Sequence, residues 1–345
     1  MTGADARRPL PAPDGWPATD PPRVDFALSP RSPGSVRRTT THDSVRPDGL
    51  LGPVTVLARG RDLFTGQGLK VAVLDEASIE LRALYREGSI LSLSSDPAEP
   101  ALESLVGSTP FSGFRASVEA LLPHEQVART VRFRVLYDLP PALLASGRAL
   151  RVAGVPVEMS GKARNPVGVC AGWAEGGTLL AGLTEAGPPL HIGPDATSLS
   201  PIGDPLAWHV AAPLPAHGTR RARRLDLWER DGSVHLEAYF RDSHVDEHGR
   251  ETVVHEYGVR GALDPEQERF LWCAAVPGAL PYPECPSAAE SAGRLVGMRP
   301  ADLTTLVQQE FVGPSTCTHL NDTFRCLGDS GALLRLLRES VTASA

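Results

Sequence analysis

The 345-residue chain predicts an α+β fold made of two duplicated antiparallel-sheet-plus-helices units related by a pseudo-two-fold. Three observations carry that expectation. The chain is long for one compact core, which favours two domains or a duplicated one. One order of segments occurs twice: RRTTTHDSVRPDG, VTVLARGRDLF, GSILSLSSDP, LESLVGSTPFSGFRASVEALLP and VLYDLPPALL are followed later by RRARRLDLWERDG, VHLEAYFRDS, RFLWCAAVPG, AGRLVGMRPADLTTLVQQEFVG and TFRCLGDSGALL. In each copy strands come first and helices after, with no glycine-rich phosphate loop, so a doubly wound parallel sheet is not expected.

Taken in order, residues 1–35 are rich in Pro, Asp and Ala, lack a signal-length apolar run, and are expected to form a disordered tail. Residues 36–150 form the first, degenerate unit. VTVLARG and VAVLDEASIEL alternate with the period of half-buried strands, and Phe111–Leu122 is helix-length with its apolar residues on one face. Arg37–Arg38 lead to Asp43 as Arg223–Arg224 lead to Asp226. Arg61–Asp62 recurs as Arg241–Asp242, read as a structural ion pair, and Leu105–Gly107 recurs as Leu295–Gly297. Residues 151–218 connect the units. Loops of such length are functional or disordered, and this one carries CAGWAEGGT and DPLAWH, so it is expected to pack as a cover. Residues 219–345 form the second unit, with VHLEAYF and TVVHEYGVRGAL as strands, Ala301–Phe311 as a helix, and a closing helix that ends near Leu337.

A net charge of −7, from 41 acids against 34 bases, argues against nucleic acid as a partner. The run Arg220–Arg224 is read as a solvated strand start. No apolar stretch reaches the roughly 18–20 residues of a membrane helix, so no membrane partner is expected. The five cysteines, Cys170, Cys273, Cys285, Cys317 and Cys326, make no CxxC pair and suit a reducing cytoplasm. The abundance of Gly and Pro with few Lys suggests a bacterial source.

Chemistry concentrates in the second unit, where His255, Cys285, Cys317 and His319 have no counterparts in the first. Two thiolates and two neutral imidazoles suit a tetrahedral metal, zinc or iron. Alternatively, Cys317 at a helix N-terminus is a stabilised thiolate nucleophile beside His319. Set against these, Cys285 is read as a small buried apolar residue, and His255 equally as a core histidine or a site member. Cys273 and Cys326 are read as core, and Asn321 and Asp322 as caps of the last helix. Cys170, Trp173, Trp208 and His209 in the cover, and His42 with Asp43 as its orienter, are candidate substrate-binding residues.

From about Arg223 to Leu337 the chain resembles a bacterial family known as domain of unknown function 2889, through HEYGVRGALD, PYPEC, LVG and above all CTHLND. That family has no activity to carry over. The placement of Cys285 and of the Cys317/His319 pair is also similar to the iron–sulfur cluster assembly scaffold fold. Here the chain departs in having His255 where the scaffold has a Cys-x-Asp turn, and in lacking a His-Cys dipeptide.

The function expected is an enzyme acting on a small, largely apolar organic molecule by non-redox chemistry: a lyase, isomerase, hydratase or hydrolase, metal-assisted or not. A metal or cluster carrier, and a binding module without chemistry, are the alternatives.

Overall fold

The computed structural model describes residue 26 and residues 29–155, 167–184, 187–199 and 203–344. Alternating sequence becomes eight strands: β1 (Ser35–Val45), β2 (Val54–Thr65), β3 (Val71–Leu84), β4 (Ser89–Asp96), β5 (Thr219–Arg230), β6 (Ser233–Val245), β7 (Glu251–Leu263) and β8 (Phe270–Pro277). They form one antiparallel sheet in the order β4-β3-β2-β1-β5-β6-β7-β8. Two four-stranded meanders therefore meet at a β1/β5 seam.

The first meander is followed by α1 (Phe114–Leu121), α2 (Pro123–Ala128), α3 (Val131–Tyr137), α4 (Leu139–Ala145) and α5 (Gly147–Val152). A single turn, α6 (Thr178–Ala181), lies in the connecting segment. The second meander is followed by α7 (Leu303–Glu310), α8 (Thr318–Leu327) and α9 (Ser330–Ser344). Breaks between the short helices have local causes. Prolines open α2 and α4, where a missing N–H costs nothing, and the Thr130 side chain caps α3 through the N–H of Phe133.

The helices cover one face of the sheet, over two apolar cores. One is built around Val56, Ile79, Phe114 and Phe133, the other around Leu236, Phe240, Val259 and Phe324. A smaller cluster on the opposite face holds Phe26, Leu199, Trp208 and Tyr239. Phe26 is buried there, its carbonyl accepting from Arg224, and the Ser29 and Pro30 carbonyls accept from Arg37. The packed chain thus begins before residue 35, where the disordered tail was expected to end. Residues 1–25 lie outside the described residues.

The seam holds the buried charges. Across it Arg37 pairs with Asp226 and Arg220 with Asp43, while within each meander Arg38 pairs with Asp62 and Arg221 with Asp242. Arg223 meets Asp138, and Arg224 meets Asp226 and Glu237. The run Arg220–Arg224 is therefore buried and paired, contrary to the solvated start expected. A guanidinium can lie in a sheet interior when a carboxylate faces it in the fork geometry. Adjacent Arg-Asp residues do not pair with each other, because successive strand residues face opposite sides. Arg61 and Arg241 instead reach the carbonyls of Leu206 and Thr197 in the connecting segment.

The two LVG motifs make the same turn. The N–H of Gly107 donates to Ile90 O and that of Gly297 to Phe270 O, each at 2.8 Å. Both glycines have positive φ, +83° and +81°, which disfavours a side chain there.

Residues 167–184 and 187–191 of the connecting segment lie against the helix-bearing face. The segment then crosses the end of β7, where Val253 N–H donates to Pro194 O and Ala196 N–H to Glu251 O, and Trp208 packs on the opposite face. No described helix is long and apolar enough to cross a membrane.

Candidate functional site

A cleft of about 380 Å³ opens on the helix-bearing face, over the ends of β5, β6 and β7. Its floor is set by strand register. Asp242 on β6 lies opposite His255 on β7, next to the bulge after Asp242. His319 reaches the same place from the first turn of α8, stacking on His255 with 3.6 Å between ring centroids and 20° between planes. Asp242, His255 and His319 each present a ligand atom within 4.8 Å of the other two. No other group of three or more ligating side chains converges so closely among the described residues.

The cleft draws on all three parts of the chain. Tyr85, Pro141 and Leu144 come from the first unit, Trp173, Leu179 and Pro189 from the connecting segment, and Tyr282 from the second unit. Arg148 and Arg151, one helical turn apart on α5, join this largely apolar wall.

Both imidazoles are held neutral. Burial, the neighbouring His319 and the Arg221 guanidinium push His255 well below the usual histidine range. Burial and Arg221 outweigh Asp242 and bring His319 to about 4. Asp242 stays bound to Arg221 through both oxygens, at 2.9 and 2.8 Å. Asp322, on the wall, is opposed by burial but held below the carboxylate range by Arg115, Arg221, Arg223 and Arg325.

Of the residues singled out in the sequence, His255 and His319 converge as expected. The thiols do not join them in the converging group. Cys317 is the N-cap of α8, its sulfur 3.8 Å from His319 Nδ1. Burial raises its thiol, although the N–H groups of Leu320 and His319 and the Tyr257 hydroxyl oppose the rise. Cys285 opens a 3₁₀ segment, Cys285–Leu295, with its sulfur against Gly172; burial and Cys317 push it up to about 12. Cys170, buried nearby, is raised by burial as well. Cys273 lies in the apolar core as read, while Cys326 is buried among charged groups, its thiol donating to Asp138 Oδ2 at 3.8 Å.

Trp173 lines the cleft as expected, but Trp208 and His209 do not. Trp208 is 2% exposed in the opposite-face cluster, and His209 is held between the hydroxyls of Thr39 and Thr41. His42 lies under α3, its Nε2 bonded to Val135 O at 2.9 Å, while Asp43 faces the other side of the sheet and pairs with Arg220. Alternation along β1 separates that proposed pair. Asn321 and Asp322 are inside α8 and do not cap the last helix: the Asn321 amide donates to the carbonyl of Phe311, the C-cap of α7, and Asp322 faces the cleft.

The residues that sequence reasoning missed are Asp242, Arg148 and Arg151. Asp242 was available from strand pairing, since a short hairpin after Val245 sets it opposite His255.

A family model described as "Protein of unknown function (DUF2889)" matches residues 219–332. That stretch contains Asp242, His255 and His319, while Arg148, Arg151 and Trp173 lie before it. Neither curated proteins nor solved structures give a match.

Proposed function

We propose that the chain is an enzyme acting on a small, largely apolar organic molecule held in this cleft. In this reading Asp242, His255 and His319 hold a divalent ion, zinc or ferrous iron, for hydrolysis, hydration or a related non-redox reaction. The convergence of two imidazoles and one carboxylate at the floor of the cleft carries the proposal. Two histidines and a carboxylate leave coordination positions open for water or substrate. The protonation states also favour a ligand role over direct acid–base catalysis. An imidazole near 4 is a weak base at neutral pH, whereas its free lone pair is what a metal needs. The bound ion would supply Lewis acidity and an activated water, while Trp173 and Leu179 would exclude bulk water from the floor. Five unpaired thiols suit a cytoplasmic setting.

Zinc and ferrous titration of the chelator-stripped chain should give one ion per molecule. Asp242→Asn, His255→Ala and His319→Ala should each weaken binding by more than the roughly 10–100-fold typical of a lost supporting residue. Substoichiometric binding, or an unchanged affinity in His319→Ala, would sink the metal centre. Stoichiometric metal without turnover of any ester, enol or unsaturated acid would favour the carrier reading.

We also infer that the two halves are copies of one unit. The exchanged pairs Arg37–Asp226 and Arg220–Asp43, the within-unit pairs Arg38–Asp62 and Arg221–Asp242, the bulges after Asp62 and Asp242, and the two LVG turns support this. By these pairs Arg37–Arg38 corresponds to Arg220–Arg221, three residues earlier than the sequence alignment places it. Asp75 then stands opposite Asp62 where His255 stands opposite Asp242, so the first copy has no counterpart of the metal centre.

A further inference from the structure

We propose that Arg148 and Arg151 form an anion clamp, and that the molecule bound in the cleft is an organic carboxylate with an apolar body. This rests on the cleft being the binding site proposed above, and it adds the chemical class of what binds there.

The two guanidiniums sit three residues apart on α5, hence on one face of that helix, and both line the cleft. Neither makes an ion pair among the described residues. Arg148 donates to His191 O and Arg151 to Pro188 O, both carbonyls of the connecting segment. The Nε–H of Arg148 is buried with no partner. Arg221 on the floor differs, since it holds the Asp242 carboxylate through two bonds. Other arginines without a carboxylate stand singly: Arg46 bonds the carbonyls of Leu50 and Ser146, Arg61 that of Leu206, Arg241 that of Thr197, and Arg129 the Thr304 hydroxyl. Arg148 and Arg151 are the pair that shares one opening.

The electrostatics agree with that geometry. Burial, followed by the charge of Arg151, brings Arg148 down to about 10. Two cations are thus held together without a counter-charge, and an anion between them would relieve the repulsion. A guanidinium offers five N–H donors in a planar fork, so donors remain free on Arg148 beyond its carbonyl bond and on Arg151 beyond its bonds to Pro188 O and the Tyr282 hydroxyl. The fork matches a carboxylate edge, forming short charge-assisted bonds. The apolar surfaces of Tyr85, Leu144, Trp173 and Leu179 would receive the rest of the molecule. They argue for an organic acid over inorganic phosphate, which would leave them exposed to water.

The test is a binding panel read by calorimetry and by the fluorescence of the cleft tryptophan. The ligands are straight-chain carboxylates from acetate to octanoate, phenylacetate and phenylpropanoate, with their neutral amides and inorganic phosphate as controls. The carboxylates should bind and their amides should not, and affinity should rise with the apolar body. Arg148→Met and Arg151→Met should each weaken binding about 10–100-fold, with Arg148→Lys recovering part of the loss. Zinc stoichiometry should be unchanged in all three variants, and their thermal midpoints should stay close to the parent. Equal binding of acid and amide, preference for phosphate, no binding by any acid of the panel at millimolar concentration, or arginine variants that bind normally would each overturn the clamp. Carboxylate binding that depends on Arg148 and Arg151 in a chain that takes up no zinc would uphold the clamp and defeat the metal centre.

Discussion

Asp242 and Asp62 share one relation and differ in another. Both are buried and both receive a guanidinium through two bonds, Asp62 from Arg38 and Asp242 from Arg221. Only Asp242 also faces two imidazoles. Asp62→Asn and Asp242→Asn should therefore lose similar stability, on the order of 3 kcal/mol, because each leaves a buried guanidinium undercompensated. Only the second should lose zinc. Urea midpoints and zinc titration on the two variants measure this, and equal retention of zinc would make Asp242 a structural residue alone. A carboxylate in an Arg-Asp dipeptide looks structural in sequence, and here it is structural; the further role comes from the strand beside it. His255 and His319 were visible because imidazoles are few and absent from the matching positions of the first unit. The thiols were singled out because cysteine is chemically suggestive in sequence; they lie buried outside the converging group, Cys317 beside His319 and Cys285 against Gly172.

At the scale of elements, the connecting segment works on both sides of the sheet. Its first part walls the cleft with Trp173 and Leu179, and its later part buries Trp208 against Tyr239, ring centroids 6.3 Å apart. The two tryptophans should respond oppositely to truncation. Trp208→Ala should cost about 3–5 kcal/mol, as a fully buried aromatic does, with carboxylate affinity little changed. Trp173→Ala should cost little stability and weaken ligand binding several-fold. Thermal midpoints set beside ligand titrations measure this, and a Trp208 variant that lost binding selectively would reverse the assignment. The strands were legible because one buried face imposes a period of two, and the aromatic content of residues 170–209 marked that segment as packed. Its path was not legible, because crossing from face to face depends on carbonyls such as Thr197 O meeting strand arginines far off in the chain. The role of α5 was hidden likewise: two arginines on a short helix look like a solvated face until the wall opposite is known.

For the whole molecule, the buried charges tie the two units into one body. Asp329, between α8 and α9, takes Arg38 from β1 and Arg134 from α3. Burial opposes its charge, but Arg134 and Arg38 bring it down to about 2. A carboxyl depressed in the folded state stabilises above its unfolded pKa, near 3.9, and that contribution is lost as pH falls through the folded value. Stability should thus drop between about pH 4 and pH 2, with the two units unfolding together. Asp329→Asn should lower the neutral-pH urea midpoint and flatten this acid limb; a limb as steep as the parent's would assign it to other carboxylates. The seam has a further meaning for a chain leaving the ribosome. Arg37 and Asp226 are 189 residues apart, so the first meander is complete long before β5 emerges to cover β1. Through that interval the nascent chain carries an open strand edge, the feature by which partly made β-sheet proteins join one another. The strand waiting there is SVRRTTTHDSV, whose paired arginines and threonines are costly to bury against an unmatched neighbour. Arg37 and Asp43 on that edge accept only a neighbour that brings the opposite charge in the right register, as Asp226 and Arg220 of β5 do.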